Sequence, residues 1–319
     1  MQIVVKDVNY VYSAKTPFER HALKGVNLTI NEGDFLGIIG HTGSGKSTFI
    51  MHLNGLFKLQ SGEIDVFDIK LVPDKKNKSD LRRLRGTVGM VFQYPEYQLF
   101  EDTVEKDVAF GPKNMGLDDE EVRRRVKRAI ELVGLDYEDI KDRAPFELSG
   151  GQKRRVAIAG IIAMQPRVLI LDEPTAGLDP YGKEQILSLI THLKKECSPT
   201  VIVISHDVDE ITRFASRIVV FNDGKVMFDL PMNELFRHAD ELHAVGLEIP
   251  KAVRIAEKLR KRGVDLEGDI VSLNDLLRAI VKAYNKKHID KTVSEDLNFS
   301  AFDFDIYGAA CGKNGEDKQ

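Results

Sequence analysis

The chain has 319 residues, of which 42% are hydrophobic and 30% charged, with 25 glycines and only 11 prolines. This composition is that of ordinary globular proteins; it excludes a disordered, collagen-like or membrane-embedded chain, and the length allows about two domains. Of the formal net charge of −4, residues 287–319 contribute −3, with seven acidic residues against four lysines, so the remainder of the chain is nearly neutral.

The first part of the chain predicts short strands that end in a buried one. The runs IVVKDVNYVY and ALKGVNLTI alternate apolar and polar residues, and FLGIIG, at residues 35–40, is apolar enough for a buried strand. A helix should follow from Lys46 to about Leu56. The charged stretch 73–86 is interpreted as a loop, and TVGMVF, at residues 87–92, as a second buried strand.

A helical insertion and then further strands are predicted for the middle of the chain. Residues 95–165 have helical patterns separated by Gly and Pro. Strand patterns return at residues 168–171 and 200–205, each followed by a helical pattern, and a hairpin with its turn at residues 222–224 comes next. Apolar strands that alternate with helices indicate a parallel sheet covered on both faces, an α/β fold.

The C-terminal part predicts a small helical domain over residues 231–286. Ser272 and Asp275 resemble a capping box, and six apolar residues after them fall on one helix face: Leu273, Leu276, Leu277, Ile280, Val281 and Tyr284. We expect this face to pack mainly within its own domain, with a share of it in dimer contact. Residues 287–319 are interpreted as a loose acidic tail in preference to a docking strand.

Several features bear on where the protein works. The longest apolar stretch, residues 156–164, is about half the ~18 residues that a membrane-spanning helix needs, and the N-terminus lacks an export signal pattern. Cys197 and Cys311 form no CxxC pair, which argues against a disulfide framework or a zinc site. The basic runs RRRVKR and KLRKR lie among acidic neighbours on predicted helices, so nucleic-acid binding is not expected. We expect a cytosolic protein.

The sequence GHTGSGKST, at residues 40–48, matches the phosphate-binding pattern G-x-x-x-x-G-K-[ST] between a buried strand and a helix. Its backbone N–H groups and the positive end of the helix would hold a polyphosphate, with Lys46 on the outer phosphates and Ser47 on Mg²⁺. A chance glycine turn is the alternative, and it is much the weaker. The nucleotide-binding residues predicted from this loop are Gly40, Gly43, Ser44, Gly45, Lys46, Ser47 and Thr48.

Two adjacent acids, Asp172 and Glu173, follow the apolar strand VLIL at the edge where α/β sheets bind ligands. Asp172 can complete a Mg²⁺ shell, and Glu173 can accept a proton from an attacking water. Capping of the turn at residues 174–177 is the alternative. Joined to the phosphate loop, the catalytic interpretation is the stronger.

A second anion-binding pattern is LSGGQ at residues 148–152. Ser149 is a good N-cap for the helix that follows, and the N–H groups of Gly150 and Gly151 are open to an anion. With the phosphate loop and LILDEP, this pattern resembles the signature of ATP-binding cassette (ABC) ATPases over about residues 1–230. The resemblance implies that Ser149, Gly150, Gly151 and Gln152 serve the ATP held by another subunit, and that a lone subunit hydrolyses poorly.

The same resemblance implies roles for four further residues. Tyr12 is similar to the aromatic residue that stacks on adenine, Gln93 to the glutamine that senses Mg²⁺ or water, Asp179 to the D-loop acid, and His206 to the switch histidine at the γ-phosphate. Simpler alternatives are a strand tyrosine, a loop amide, an N-cap and a structural imidazole. The family's fold is a P-loop NTPase (RecA-like) parallel sheet with an N-terminal antiparallel β subdomain and a helical subdomain, here at about residues 95–165.

Within this family, residues 91–114, His41 in the phosphate loop and the C-terminal region resemble the ATPase subunits of energy-coupling factor (ECF) transporters, the cobalt-importer-like group. That implies an ATP hydrolase peripheral to the cytoplasmic face of the cell membrane. Its partners would be a paralogous ATPase, a membrane T subunit contacted through residues 93–103, and an S subunit that captures a vitamin or metal ion. Among the aromatics of that segment, Phe100 is expected to pack inside the helical insertion. The alternatives are another importer's ATPase or, with less support, a soluble ABC protein acting on ribosomes or DNA.

Overall fold

The structure, a computed structural model, describes residues 2–73, 78–196 and 200–288. The strands in these ranges are β1 (Gln2–Tyr12), β2 (Arg20–Asn31), β3 (Phe35–Ile39), β4 (Ser61–Val66), β5 (Ile69–Leu71), β6 (Val88–Val91), β7 (Val168–Asp172), β8 (Thr200–Ile204), β9 (Arg217–Asn222) and β10 (Lys225–Pro231). The helices are α1 (Lys46–Leu53), α2 (Lys78–Thr87), α3 (Val104–Met115), α4 (Asp119–Leu132), α5 (Tyr137–Ile140), α6 (Gly150–Ile162), α7 (Pro180–Glu196), α8 (Val208–Ile211), α9 (Met232–Leu235), α10 (Ala239–Ala244), α11 (Lys251–Lys261) and α12 (Leu273–His288).

Two sheets form the core of the fold. One is antiparallel, in the order β2-β1-β4-β5, and the other has the order β10-β9-β3-β8-β7-β6. In the second sheet β9, β3, β8, β7 and β6 run parallel, and β10 adds an antiparallel edge. Every residue of β3, β6, β7 and β8 is buried, as expected of parallel strands covered on both faces. The predicted α/β fold with an N-terminal antiparallel sheet is confirmed.

The helical region between β6 and β7 contains α3, α4, α5 and α6. In α4 the apolar residues recur at helical spacing, so that Val122, Val126 and Ile130 are buried, while the basic residues between them are exposed except for the partly buried Arg125. Arg124 and Arg125 pair with Glu121 of the same helix. This arrangement agrees with the interpretation of RRRVKR as a solvated helix face.

A helix lies where the sequence predicts a loop. The charged stretch 73–86 contains most of α2. Leu81 and Leu84 are the apolar side chains that attach this helix to the core around Phe49 and Val88, and Leu84 is fully buried. Two leucines among so many charges give too weak a periodicity to indicate a helix, although a spacing of three residues places them on one face.

The C-terminal helices α11 and α12 pack on each other, and α12 begins with the predicted capping box of Ser272 and Asp275. The expectation that its apolar face packs mainly within its own domain is wrong. Leu276 and Ala279 are buried against α11, whereas four side chains on the adjoining flank are largely exposed: Leu273, Leu277, Val281 and Tyr284. One short partner helix is too narrow to cover so wide an apolar face.

The predicted acidic tail lies, except for the end of α12, outside the described residues, as do Cys197 and Cys311. The boundaries 1–230, 231–286 and 287–319 stay predictions. In the part of the chain that the structure describes, no helix is both long enough and apolar enough to cross a membrane.

Candidate active site

The phosphate loop connects β3 to α1. Gly45 caps α1 with a φ of 109°, and a Cβ at this position would lie 2.6 Å from the carbonyl oxygen of Ala22, so only glycine fits. Among the described residues, the N-cap of α1 is this glycine, which has no side chain to accept from the first-turn amides. These amides therefore face the cleft beside the loop without a competing acceptor, which suits them to bind a phosphate.

Lys46 is the first residue of α1, and its side chain lies within the loop. Its Nζ donates to the carbonyl oxygens of Gly40 at 2.6 Å and His41 at 3.1 Å. Burial lowers the pKa of Lys46, while the carboxylates of Glu173 and Asp172 act in the opposite direction. The ammonium group is thus held within the loop, where its charge could bind an anion.

Asp172 ends β7, and its carboxyl group is buried opposite the phosphate loop. Burial and the neighbouring Glu173 raise the pKa of Asp172 to about 6, against the effects of a hydrogen bond with Ser47 and the charge of Lys46. Two adjacent carboxylates with a serine hydroxyl beside them are a set of oxygen ligands that suits Mg²⁺. A cation there would offset the repulsion that raises this pKa, so Ser47 and Asp172 fit the predicted metal.

Glu173 lies one residue beyond the strand, in the left-handed region with φ of 50°. Its N–H donates to the carbonyl of Ile204, and its Oε2 lies 2.7 Å from His206 Nδ1. Because a carboxylate accepts, His206 must carry its proton on Nδ1 for this bond. His206 is 76% exposed at the mouth of the cleft. A non-glycine residue in this conformation is common at functional sites.

Tyr12 and Thr48 form the other wall. The Tyr12 hydroxyl lies 3.0 Å from Thr48 Oγ1, and the Tyr12 ring packs edge-on against Tyr10 and Phe57. The Tyr12 ring is therefore held in place by aromatic neighbours at the edge of the cleft.

Arg20 was missed by the sequence analysis and also lines the cleft, where Nη2 donates to the carbonyl of Gly43 at 3.2 Å. It lies directly opposite Tyr12 in the pairing of β1 with β2. The pairing register of β1 and β2 is the feature from which Arg20 could have been predicted.

His41, which the sequence analysis left without a site role, joins the loop to the β9–β10 turn. Its ring contacts the Thr42 carbonyl at 2.8 Å and Asn222 Oδ1 at 3.1 Å.

The cleft has a volume of about 670 Å³. It brings together most of the predicted nucleotide-binding and catalytic residues: Tyr12, Gly43, Gly45, Lys46, Ser47, Thr48, Gln93, Asp172, Glu173 and His206. Gly40 and Ser44 are buried within the loop behind it, and Ser44 Oγ has no hydrogen-bond partner among the described residues.

The signature residues lie outside this cleft. Ser149 caps α6 in a capping box, in which its Oγ accepts from the N–H of Gln152 and Gln152 Oε1 accepts from the N–H of Ser149. A Cβ added at Gly150 or Gly151 would meet nothing within 4 Å, so the backbone here is open to a large ligand. None of the described residues that line the cleft belongs to this turn.

Asp179 is also outside the cleft. Its Oδ1 accepts from the N–H of Gly182 at 2.7 Å in the first turn of α7, which is the N-cap geometry that the sequence analysis left as the alternative.

A groove of about 730 Å³ lies beside residues 93–103, between α2, α3 and α6. The expectation for Phe100 is wrong: its side chain is 63% exposed and meets Phe110 edge-on at the groove. The backbone explains this, because Asp107 in the first turn of α3 accepts from the amides of Phe100 and Glu101. The segment is attached to the helix through these amides, and the ring does not need to be buried. Tyr97 is 84% exposed on the same segment.

Comparison with known proteins gives consistent results. The family model "ABC transporter" matches residues 23–176. The energy-coupling factor transporter ATP-binding protein EcfA2 of Clostridium perfringens (strain 13 / Type A) is 48% identical over 282 residues, which are 88% of this chain and 98% of the relative. The EcfA2 of Clostridioides difficile (strain 630) is 50% identical over 283 residues, which are 88% of this chain and 97% of the relative.

Two solved structures are similar. The cbiO1 of Clostridium perfringens, described as part of the ABC transporter complex cbiONQ, has a TM-score of 0.65 and 39% identity, covering 80% of this chain and 98% of that chain. The ATP-binding cassette MJ0796, in a dimeric post-hydrolysis state with ADP and Pi, has a TM-score of 0.63 and 33% identity, covering 72% of this chain and 98% of that one.

Proposed function

The chain belongs to the ATP-binding proteins of energy-coupling factor transporters, a group of ABC ATPases, and we propose that it drives an importer of vitamins or transition-metal ions by hydrolysing ATP. The observation that carries the proposal is the contact of Glu173 with His206 at the mouth of a cleft whose floor is a complete phosphate loop.

Several residues of the cleft have a role in this proposal. Lys46 and the amides of α1 bind the phosphates. Ser47, Asp172 and Gln93 would hold Mg²⁺, which would supply charge neutralisation when bound. Glu173 accepts a proton from the attacking water while a new P–O bond forms at the γ-phosphorus. The bond to the bridging oxygen of ADP breaks, and His206, whose Nδ1–H is donated to Glu173, orients that carboxylate at the γ-phosphate.

We propose further that each hydrolytic site is shared between two chains. What supports this is that the open turn of Ser149, Gly150 and Gly151 and the residue Asp179 lie outside the chain's own cleft. A paralogous ATPase is the partner we favour. One chain then contributes half of each of two sites, and ATP holds the dimer closed.

We propose that the movement of the ATPase is transmitted to a membrane protein through the groove beside residues 93–103. Its exposed aromatic rings at Phe100 and Phe110 are suited to a helix that presents apolar side chains. We assign this helix to a membrane T subunit, with an S subunit binding the cargo. The chain would then lie on the cytoplasmic face of the cell membrane as a peripheral subunit.

Glu173→Gln tests the ATPase part of the proposal. The substitution keeps the shape of the side chain but removes the proton acceptor, so turnover by the purified complex should fall by about 10²-fold or more, with ATP affinity unchanged. The matched control is Glu184→Gln on α7, where the carboxylate pairs with Arg213 at the surface and turnover should be unaffected. Turnover that survives in Glu173→Gln removes this carboxylate from the mechanism.

Purification of the tagged full-length chain from membranes tests the transport part. A second cassette and a multispanning membrane protein should co-purify in detergent, and Phe100→Asp should release the membrane protein while the cassettes stay together. Co-purification with ribosomes and no membrane protein would contradict the proposal.

A further inference from the structure

Arg154 is a buried arginine in the second turn of α6, five residues after Ser149, and its side chain is 3% exposed. Its Nε donates to Glu96 Oε2 at 2.9 Å and its Nη2 to Glu96 Oε1 at 2.7 Å, a two-bond pairing. Nη1 donates to the carbonyls of Pro174 and Ala176 at 3.2 and 3.1 Å, and Nη2 donates to Ala176 as well. All five N–H groups of the guanidinium are therefore used.

These bonds join three segments that are distant in sequence, each of which carries a residue of the proposed site. Glu96 lies in the turn of 3₁₀ helix (Pro95–Gln98) that follows Gln93. The carbonyls of Pro174 and Ala176 belong to the turn between Glu173 and Asp179, and Arg154 itself belongs to the helix that Ser149 caps.

The pairing is strong enough to fix the position of the Gln93 segment. Burial alone would raise the pKa of Glu96, but the hydrogen bonds and charge of Arg154 outweigh burial and lower this pKa. Removal of either partner of this buried ion pair should be destabilising, because the remaining charge would stay buried without a counterion. Lysine cannot replace the guanidinium, since a single ammonium cannot reach the carboxylate and both carbonyls with the same geometry.

We propose that Arg154 is a positioning residue that fixes Ser149 relative to Glu173. In the proposed function, Ser149 binds the partner's nucleotide and Glu173 acts on the chain's own nucleotide. Through Glu96, Arg154 also fixes both relative to the segment after Gln93 that borders the groove. A displacement of that segment thereby moves the turn of Ser149 and the turn after Glu173 together. This inference rests on the proposed function, because it requires two nucleotides in one dimer.

The test uses the full-length chain in its purified ATPase complex, with Arg154→Lys, Glu96→Gln and the double variant. ATP affinity is measured without turnover, and kcat is normalised to the number of nucleotide-binding sites. We expect each single variant to lower kcat about 10-fold or more while the affinity for ATP changes less than about 2-fold, because the phosphate loop is untouched. The kcat of the double variant should be no lower than that of the less active single variant, because both substitutions break the same ion pair.

The matched control is Arg125→Lys. Arg125 pairs with Glu121 within α4, its side chain is 16% exposed, and it has no bond to either turn of the site. It should lower the melting temperature, as the loss of a partly buried pair does, and leave the normalised kcat unchanged.

Two outcomes separate this inference from the proposed function. If the wild-type complex hydrolyses ATP and both single variants keep a normalised kcat within about 2-fold of it, then Arg154 serves only stability and the inference is overturned. If the wild-type complex itself does not hydrolyse ATP, the proposed function fails and the inference fails with it.

Discussion

Lys46 makes two hydrogen bonds to carbonyls of its own loop, so its ammonium group is oriented by the protein. Such preorganisation reduces the ordering that nucleotide binding would otherwise require. The same bonds mean that the residue contributes to the loop's shape as well as to its charge.

Lys46→Ala should therefore weaken ATP binding about 10-fold or more, since it removes both a cation and the donor that orders the loop. Titration of the purified chain with ATP in the presence of Mg²⁺ measures this. The control is Lys106→Ala, which removes an exposed lysine of α3 that pairs with Asp102. Equal affinity in the two variants would show that the loop binds ATP without this lysine.

At the residue scale, local motifs predicted most of the cleft. The residues of the phosphate loop and the pair Asp172 and Glu173 are recognisable because a few adjacent positions carry the whole chemical requirement. Arg20 could not be found in this way, because its place in the cleft depends on a cross-strand register. The pair of Arg154 and Glu96 spans 58 positions of sequence, and only tertiary packing brings the two residues together.

At the scale of elements, a second buried charge joins the strands and helices behind the site. Glu210 of α8 is 6% exposed and accepts hydrogen bonds from Thr175 Oγ1 at 2.6 Å, Lys183 Nζ at 2.9 Å and Ser205 Oγ at 3.3 Å. These bonds connect the turn after Glu173, the start of α7 and the segment that carries His206.

Glu210→Gln should lower the free energy of unfolding by about 1–3 kcal/mol, because an amide keeps the volume but leaves one of the three donors without an acceptor and removes the charge that pairs with Lys183. Denaturant unfolding of the full-length chain measures the loss. Glu184→Gln, at the exposed surface of α7, is the control and should change stability by less than about 0.5 kcal/mol. A loss no greater than that of this control would mean that the network contributes no net stability.

The errors of the sequence analysis at this scale have a common cause. α2 was interpreted as a loop, the face of α12 was expected to be covered, and Phe100 was expected to be buried. In each case the outcome depends on the neighbouring element and not on the segment's own periodicity: the core beside Leu84, the narrow face of α11, and Asp107 of α3. The buried strands were predicted correctly because continuous apolar runs indicate them without reference to a neighbour.

At the scale of the whole molecule, the two proposed anion-binding features belong to different surfaces. The cleft gathers Lys46, Asp172, Glu173 and His206, while the turn of Ser149 opens elsewhere. In the proposed function, a closed assembly of two chains is therefore the arrangement in which both features of each chain meet a nucleotide.

A structure of the ATP-bound assembly that contains this chain as Glu173→Gln, trapped before hydrolysis, tests this division most directly. We predict that Ser149 Oγ and the amides of Gly150 and Gly151 lie within hydrogen-bond distance of the γ-phosphate of the ATP held by the partner subunit. A closed, nucleotide-bound assembly in which the Ser149 turn contacts no nucleotide would contradict the account.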